Sequence, residues 1–147
     1  VTAKVTIRKV ENKIDHARSV QVRTLVFVAG QGVPATREID NDEETSHYYI
    51  ALLDDEAVGT VRWRTDDKGK TKIERLAVLD KARGHGIGKA LMQYAVADIR
   101  QQPNVKSIIL GSQDHAIPFY ESLGFRVFGE QYMDGGTIPH HDMILEW

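Results

Sequence analysis

The stretch IERLAVLDKARGHGIGKALM, from Ile73 to Met92, passes from a strand-like pattern through three glycines into a helical one. Gly84, Gly86 and Gly88 let the backbone approach a ligand closely and turn successive N–H groups into one concavity. The helix start adds N–H groups without intrahelical acceptors and the positive end of the helix dipole. Arg83 and Lys89 place charge at the edges, and the segment as a whole reads as a cradle for a pyrophosphate.

Upstream, Tyr48–Leu53, Ala57–Thr65 and Thr71–Leu79 are β-runs joined by short polar turns, an antiparallel meander. Residues 4–10 alternate and predict a further strand. Ile14–Val28 carries apolar residues at mostly helical spacing, with Asp15 as an early cap or first-turn acid and with Gly30, Gly32 and Pro34 ending the helix. Residues 35–47 are polar and acidic and predict a long loop. Downstream, the glycine turn opens a helix with Ile87, Leu91, Tyr94, Ala95 and Ile99 on one face. Val105–Leu110 reads as a buried strand and Ala116–Leu123 as a short helix stopped at Gly124. Phe125–Phe128 and His141–Trp147 complete the strands. The order β-α-βββ-α-β-α-ββ predicts an α/β (α+β) fold, a mixed, mostly antiparallel sheet of about seven strands flanked by helices.

The chain has 147 residues, which predicts one domain spanning 1–147. Its 19 basic and 21 acidic side chains give a net charge of −2, which argues against a nucleic-acid or membrane partner. There is no cysteine, so disulfides, thiolate metal sites and a cysteine acyl-enzyme are excluded. No apolar run approaches the roughly 20 residues of a membrane span, and the alternating start does not resemble a signal peptide. The expected location is the cytoplasm.

Two phosphate-binding readings fail on spacing. A Walker loop needs four residues between its first glycine and Gly-Lys, followed by a hydroxyl; here Gly84 and Gly88 enclose three, and Ala90 stands in the hydroxyl position. A dinucleotide fingerprint lacks its third glycine at Leu91 and follows a meander rather than the first strand of a βαβ unit. The surviving pattern, Arg83-Gly84-His85-Gly86-Ile87-Gly88 after Leu76-Ala77-Val78, resembles the acetyl-CoA-binding motif of the GNAT superfamily of N-acetyltransferases. A second block, Ala116-Ile117-Pro118-Phe119-Tyr120-Glu121-Ser122-Leu123-Gly124-Phe125, is similar to that family's A-x-x-F-Y-x-x-x-G-F segment, and the element order is also the family's. Val26-Phe27-Val28, Gln31-Gly32-Val33-Pro34, Ile39-Asp40, His47 and Ile138-Pro139-His140 resemble the ElaA-like bacterial branch, although Gly30 stands where that branch carries Glu.

The resemblance implies an acyl-CoA-dependent N-acyltransferase that passes an acetyl group from acetyl-CoA directly to a primary amine of a small molecule or peptide. The alternative is a non-catalytic acyl-CoA sensor on the same fold. By resemblance, pantetheine would pair with Leu76, Ala77 and Val78, an N–H near Val78 would polarise the thioester carbonyl, and pyrophosphate would lie on Gly84, His85, Gly86, Ile87, Gly88 and Lys89 beside Arg83. Tyr120 matches the family's tyrosine that protonates the departing thiolate. Glu74 is the candidate base for the amine, against the alternative of a surface carboxylate paired with Arg75 or Lys72. His140 is the candidate acceptor-pocket residue. His140 and Asp142 face opposite to His141 in a strand, so no metal site is expected. Asp40, Asp42, Glu43 and Glu44 either favour a cationic acceptor or form a solvated acidic loop. Exposed edge strands permit a homodimer.

Overall fold

The computed structural model describes residues 4–32, 42, 43, 45–134 and 137–147. Strand β1 (Val5–Lys9) pairs antiparallel with β2 (His47–Leu53), and β2 with β3 (Glu56–Thr65). Between β2 and β3, Asp54 and Asp55 take φ of 48° and 72°, the positive values that a two-residue hairpin turn of the primed type requires. Strand β4 (Thr71–Val78) continues the meander, and β5 (Ser107–Gln113) follows as its parallel neighbour. The last strands, β6 (Arg126–Asp134) and β7 (Ile138–Glu146), form a hairpin whose β7 arm pairs with β5. The result is a seven-stranded mixed sheet ordered β1-β2-β3-β4-β5-β7-β6, with the expected succession of elements.

Helix α1 (Lys13–Arg23) precedes β2, α2 (Ile87–Arg100) joins β4 to β5, and the short α3 (Ile117–Glu121) joins β5 to β6. Two neighbouring residues of β3 show which face each long helix covers. A Cβ on Gly59 would lie 3.0 Å from both Ile87 and Leu91 of α2, so the absent side chain permits close packing there. The next residue, Thr60, meets Ser19 of α1 at 2.7 Å. Successive strand residues point to opposite faces, so α1 and α2 flank the sheet from opposite sides. The α2 side holds the apolar core, including Tyr49, Val61, Trp63, Ile73, Leu91, Met92, Ala95 and Ile99.

Several details differ from the sequence expectations. The cap of α1 is Asn12, whose side chain accepts from the Asp15 N–H at 2.8 Å. Of its two sequence readings Asp15 takes the second, a first-turn acid, here buried and accepting from Arg8 at 2.9 Å through both oxygens. The helix does not run on regularly to Val28: past Arg23 it widens into a π-type turn, Thr24–Ala29, with the Thr24 hydroxyl bonded back to the Val20 carbonyl at 2.8 Å. On α2, Tyr94 is exposed and Met92 takes its place in the core. Strand β5 starts at Ser107 and extends to Gln113, and the β6–β7 hairpin is longer than its apolar ends suggest. Gly129, at φ 78°, lies in the register break between Phe128 and Tyr132, which interrupts the alternation that would have marked a long strand. Pro34, Ile39, Asp40, Glu44 and most of the expected long loop lie outside the described residues.

Candidate active site

The site begins with a defect in the sheet. Between Thr60 and Arg62 of β3 the facing strand advances from Ala77 to Glu74, one residue more than β3 does. The extra residue forms a bulge at Arg75, which takes φ of 59°. Strand β4 pairs with β5 only at Lys72 and Ile109, before this bulge. Past it, the β5-facing side of Leu76–Val78 has no strand partner among the described residues. The Leu79 N–H donates to the Val58 carbonyl at 2.8 Å, toward β3, so strand alternation turns the Val78 N–H to the open side.

Between the parted strands lies a cavity of about 400 Å³. Glu74, Arg75 and Leu76 form one wall, Gly111 and Gln113 of β5 another, and Phe27, Tyr120 and His140 close it from three other elements. The π-type turn brings in Phe27 and Gln31. Gln113 donates to the Gln31 side chain at 3.3 Å and contacts the His115 ring nitrogen at 2.6 Å, tying this turn to the end of β5.

The glycine cradle follows β4 directly. Gly84 and Gly86 have φ of 86° and 70°, a left-handed backbone that glycine adopts without strain. Gly86 is the N-cap of α2 and lends no side chain to capping. The Ala90 N–H reaches the Gly86 carbonyl at 3.0 Å, so the N–H groups of Ile87, Gly88 and Lys89 precede the first intrahelical bond. His85 and Lys89 are exposed. Arg83 is exposed too and pairs with Asp80 at 3.1 Å. A neighbouring cavity of about 520 Å³ runs from Arg83 and Lys81 to Leu25 and Gln31.

Tyr120 packs against Phe119 and Phe125, with ring centroids at 5.0 and 6.2 Å, and also borders the cavity. Burial pushes its phenol up to about 12, so the hydroxyl keeps its proton at neutral pH. Glu74 borders the same cavity and is held by guanidinium groups: Arg64 Nε donates to Oε1 at 2.6 Å, and Arg62 Nη2 lies 3.2 Å from Oε2. Arg75 is 3.9 Å away. His140 is buried in the cavity wall, its Nδ1 2.9 Å from the Ile138 carbonyl and its ring stacked on Tyr132 at 5.7 Å. His141 faces the other way and pairs with Asp114 at 2.7 Å. Among the described residues no three His, Asp or Glu side chains are grouped to hold a metal. The candidate residues therefore converge from β4, α3 and β7 on one space, with the cradle beside it.

Within the acidic segment, Glu43 behaves unlike either sequence reading. Glu43 turns inward and makes a bidentate pair with Arg23, which is fully buried, and lies 3.6 Å from the equally buried Arg62. Asp42 lies 3.6 Å from Arg64. Burial alone would raise the Glu43 carboxyl, but the Arg23 bonds and charge, joined by Tyr48 and His16, outweigh it and hold the group below its usual range. Glu43 therefore holds internal cations rather than a ligand. Sequence reasoning missed Arg23 and Arg62, because a lone arginine within a helix or strand pattern reads as solvent-facing. It also left Phe27, Gln31 and Gln113 without a role in the cavity. Asp40 and Glu44 lie outside the described residues.

Residues 14–147 match the family described as the acetyltransferase (GNAT) domain. The chain is 37% identical over 144 residues to the uncharacterized N-acetyltransferase YjcF of Bacillus subtilis (strain 168), covering 97% of this chain and 99% of that protein. It is 33% identical over 131 residues to the protein ElaA of Escherichia coli (strain K12), covering 86% of this chain and 84% of ElaA. The crystal structure of Escherichia coli ElaA superposes with a TM-score of 0.85 at 27% identity, over 97% of this chain and 100% of that one. An acyl-CoA N-acyltransferase from Pseudomonas aeruginosa gives 0.83 at 26% identity, over 98% of this chain and 99% of that one.

Proposed function

Since the chain belongs to the GNAT family of acetyltransferases, we propose that it transfers an acetyl group from acetyl-CoA directly to a primary amine of a small molecule or peptide. The observation that carries this reading is the open edge of β4 running into the glycine cradle. One continuous stretch, Leu76–Lys89, offers strand-edge hydrogen bonds and then a ring of backbone N–H groups. An extended amide-bearing arm followed by a pyrophosphate fits that order, and acetyl-CoA has it.

In this reading Leu76–Val78 hold the pantetheine arm and Gly84–Lys89 the pyrophosphate. The Val78 N–H polarises the thioester carbonyl, where negative charge develops during transfer. Tyr120 hands its proton to the departing sulfur and recovers one from the attacking nitrogen, which sheds it as the amide forms. A phenol held protonated by burial suits that duty. No helix among the described residues is long and apolar enough to cross a membrane.

Two measurements test the proposal. Acetyl-CoA at a hundred times its dissociation constant should stabilise the fold by about 2.7 kcal/mol in a thermal or urea titration, with ATP and NAD giving less. Tyr120→Phe should then slow acetylamine formation about 10²–10⁴-fold while calorimetry finds acetyl-CoA affinity unchanged. Binding without turnover on any amine would make the protein an acyl-CoA sensor. Stabilisation by ATP or NAD alone would remove the cradle assignment.

A further inference from the structure

Four side chains in the cavity wall have the chemistry to accept the proton that an alkylammonium must lose before its nitrogen can attack, and since His115 and Asp134 are exposed, the two held inside the wall are Glu74 and His140. Their surroundings differ. Each Glu74 oxygen already faces a guanidinium, Oε1 that of Arg64 at 2.6 Å and Oε2 that of Arg62 at 3.2 Å. A proton arriving at Glu74 would cancel the charge that pairs with both of them. His140 is arranged the opposite way. A carbonyl oxygen can only accept, so the 2.9 Å contact with Ile138 requires Nδ1 to carry its hydrogen. That leaves the lone pair of the neutral ring on Nε2. Among the described residues, Asp134 faces it, with Oδ2 4.0 Å from Nε2. This is too far for a hydrogen bond and near enough to stabilise a positive ring. Asp134 and His140 line the same cavity. The ring is fixed by burial at 8% exposure, by the Tyr132 stack and by the Ile138 bond.

Resting on the transferase reading above, we infer that His140 Nε2 takes the proton from the acceptor ammonium, with Asp134 stabilising the charged ring and Glu74 holding Arg62 and Arg64 in place. The balance is complete. One ammonium proton passes to Nε2, and the freed nitrogen pair forms the C–N bond. The C–S bond breaks with its electrons on sulfur. Tyr120 protonates that sulfur and is reprotonated by the second nitrogen proton, and His140 gives its proton to solvent. The net products are an amide, a free thiol and one proton.

The experiment compares two acceptors of different basicity, n-butylamine and hydroxylamine, with acetyl-CoA at neutral pH. The first is almost wholly protonated there and the second almost wholly free. His140→Asn retains a donor for the Ile138 carbonyl and lacks Nε2. It should lose about 10²–10⁴-fold in kcat/KM with butylamine and less than about tenfold with hydroxylamine. Equal losses on both amines, or an amine-selective loss in Glu74→Gln rather than in His140→Asn, overturn the inference while leaving transfer itself intact. If the native protein acetylates neither amine, the transferase reading falls and this inference falls with it. Should His140→Asn fail to fold, nitrogen-15 spectra of the native protein decide: an Nδ1–H ring with an unprotonated Nε2 is expected, and an Nε2–H ring overturns the assignment.

Discussion

Along β3, Gly59, Val61 and Trp63 turn toward α2, and Thr60, Arg62 and Arg64 turn toward α1. Both sets are largely buried, yet the two faces are held by different forces. The α2 face is side-chain packing, with Leu91, Met92, Ala95 and Ile99 fully removed from water. Its polar groups are partnered: the Trp63 indole donates to Tyr49 Oη at 2.8 Å, and Tyr49 donates to the Asp98 carboxylate. The α1 face is a lattice of charge, in which Arg23 and Arg62 are held by Glu43 and Glu74. Burying ions costs several kcal/mol each before pairing offsets it, so this face is the weaker source of net cohesion, and it reaches the cavity. Glu74 shows the connection, since it belongs both to the lattice and to the cavity wall.

The largest way to break this contrast is to remove one ion from the lattice. Glu43→Ala leaves the Arg23 guanidinium buried without its bidentate partner and should cost about 3–5 kcal/mol in urea unfolding. The lattice also sets an acid limit. The Glu43 carboxyl lies below its ordinary 4.5 in the folded chain, so its contribution is complete above about pH 4.5 and drains away as pH falls through the folded value. Stability measured from pH 7 to 3 should fall below that point. In a milder Glu43→Gln variant the fall should be shallower.

Breaking the opposite face should look different. Leu91→Ala opens a cavity against Gly59 and should cost about 3 kcal/mol. Its acid limb should run parallel to that of the unsubstituted chain, because no lattice charge is touched. A parallel acid limb for Glu43→Gln would erase the distinction between the faces. The smallest effect sharpens it at their junction with the cradle. Gly86→Ala forces a Cβ onto a φ of 70° and should cost about 1–2 kcal/mol. Among the described residues nothing beyond its chain neighbours lies within 4 Å of that Cβ, so the loss is conformational. Acetyl-CoA affinity, followed by calorimetry, should fall with it.

The same contrast explains what the amino-acid sequence revealed. The meander was legible to within a residue, because Tyr48–Leu53 and Thr71–Leu79 are bounded by short polar turns. The cradle was legible because its chemistry is main-chain chemistry, announced by Gly84, Gly86 and Gly88. The α1 face was not, since an arginine shows its burial only through a partner, and Arg23 finds its own 20 residues away at Glu43. Asn12 was passed over as a cap because Asp15 competed for the role, and the bulge at Arg75 carries no glycine to mark it. Tyr120 and His140 were legible as residues, by likeness to a family. Their common cavity depends on strands parting after Lys72 and Ile109, a tertiary fact.

That parting gives the protein a built-in reporter. The Val78 amide stands at a rung of the sheet with no neighbouring strand among the described residues to shield it, so its hydrogen should exchange with solvent quickly for a residue so deep in the chain's order of strands. An extended ligand laid along the gap would act as an inserted strand. The amide's exchange clock would then slow in proportion to occupancy, without any label, catalysis or knowledge of the acceptor.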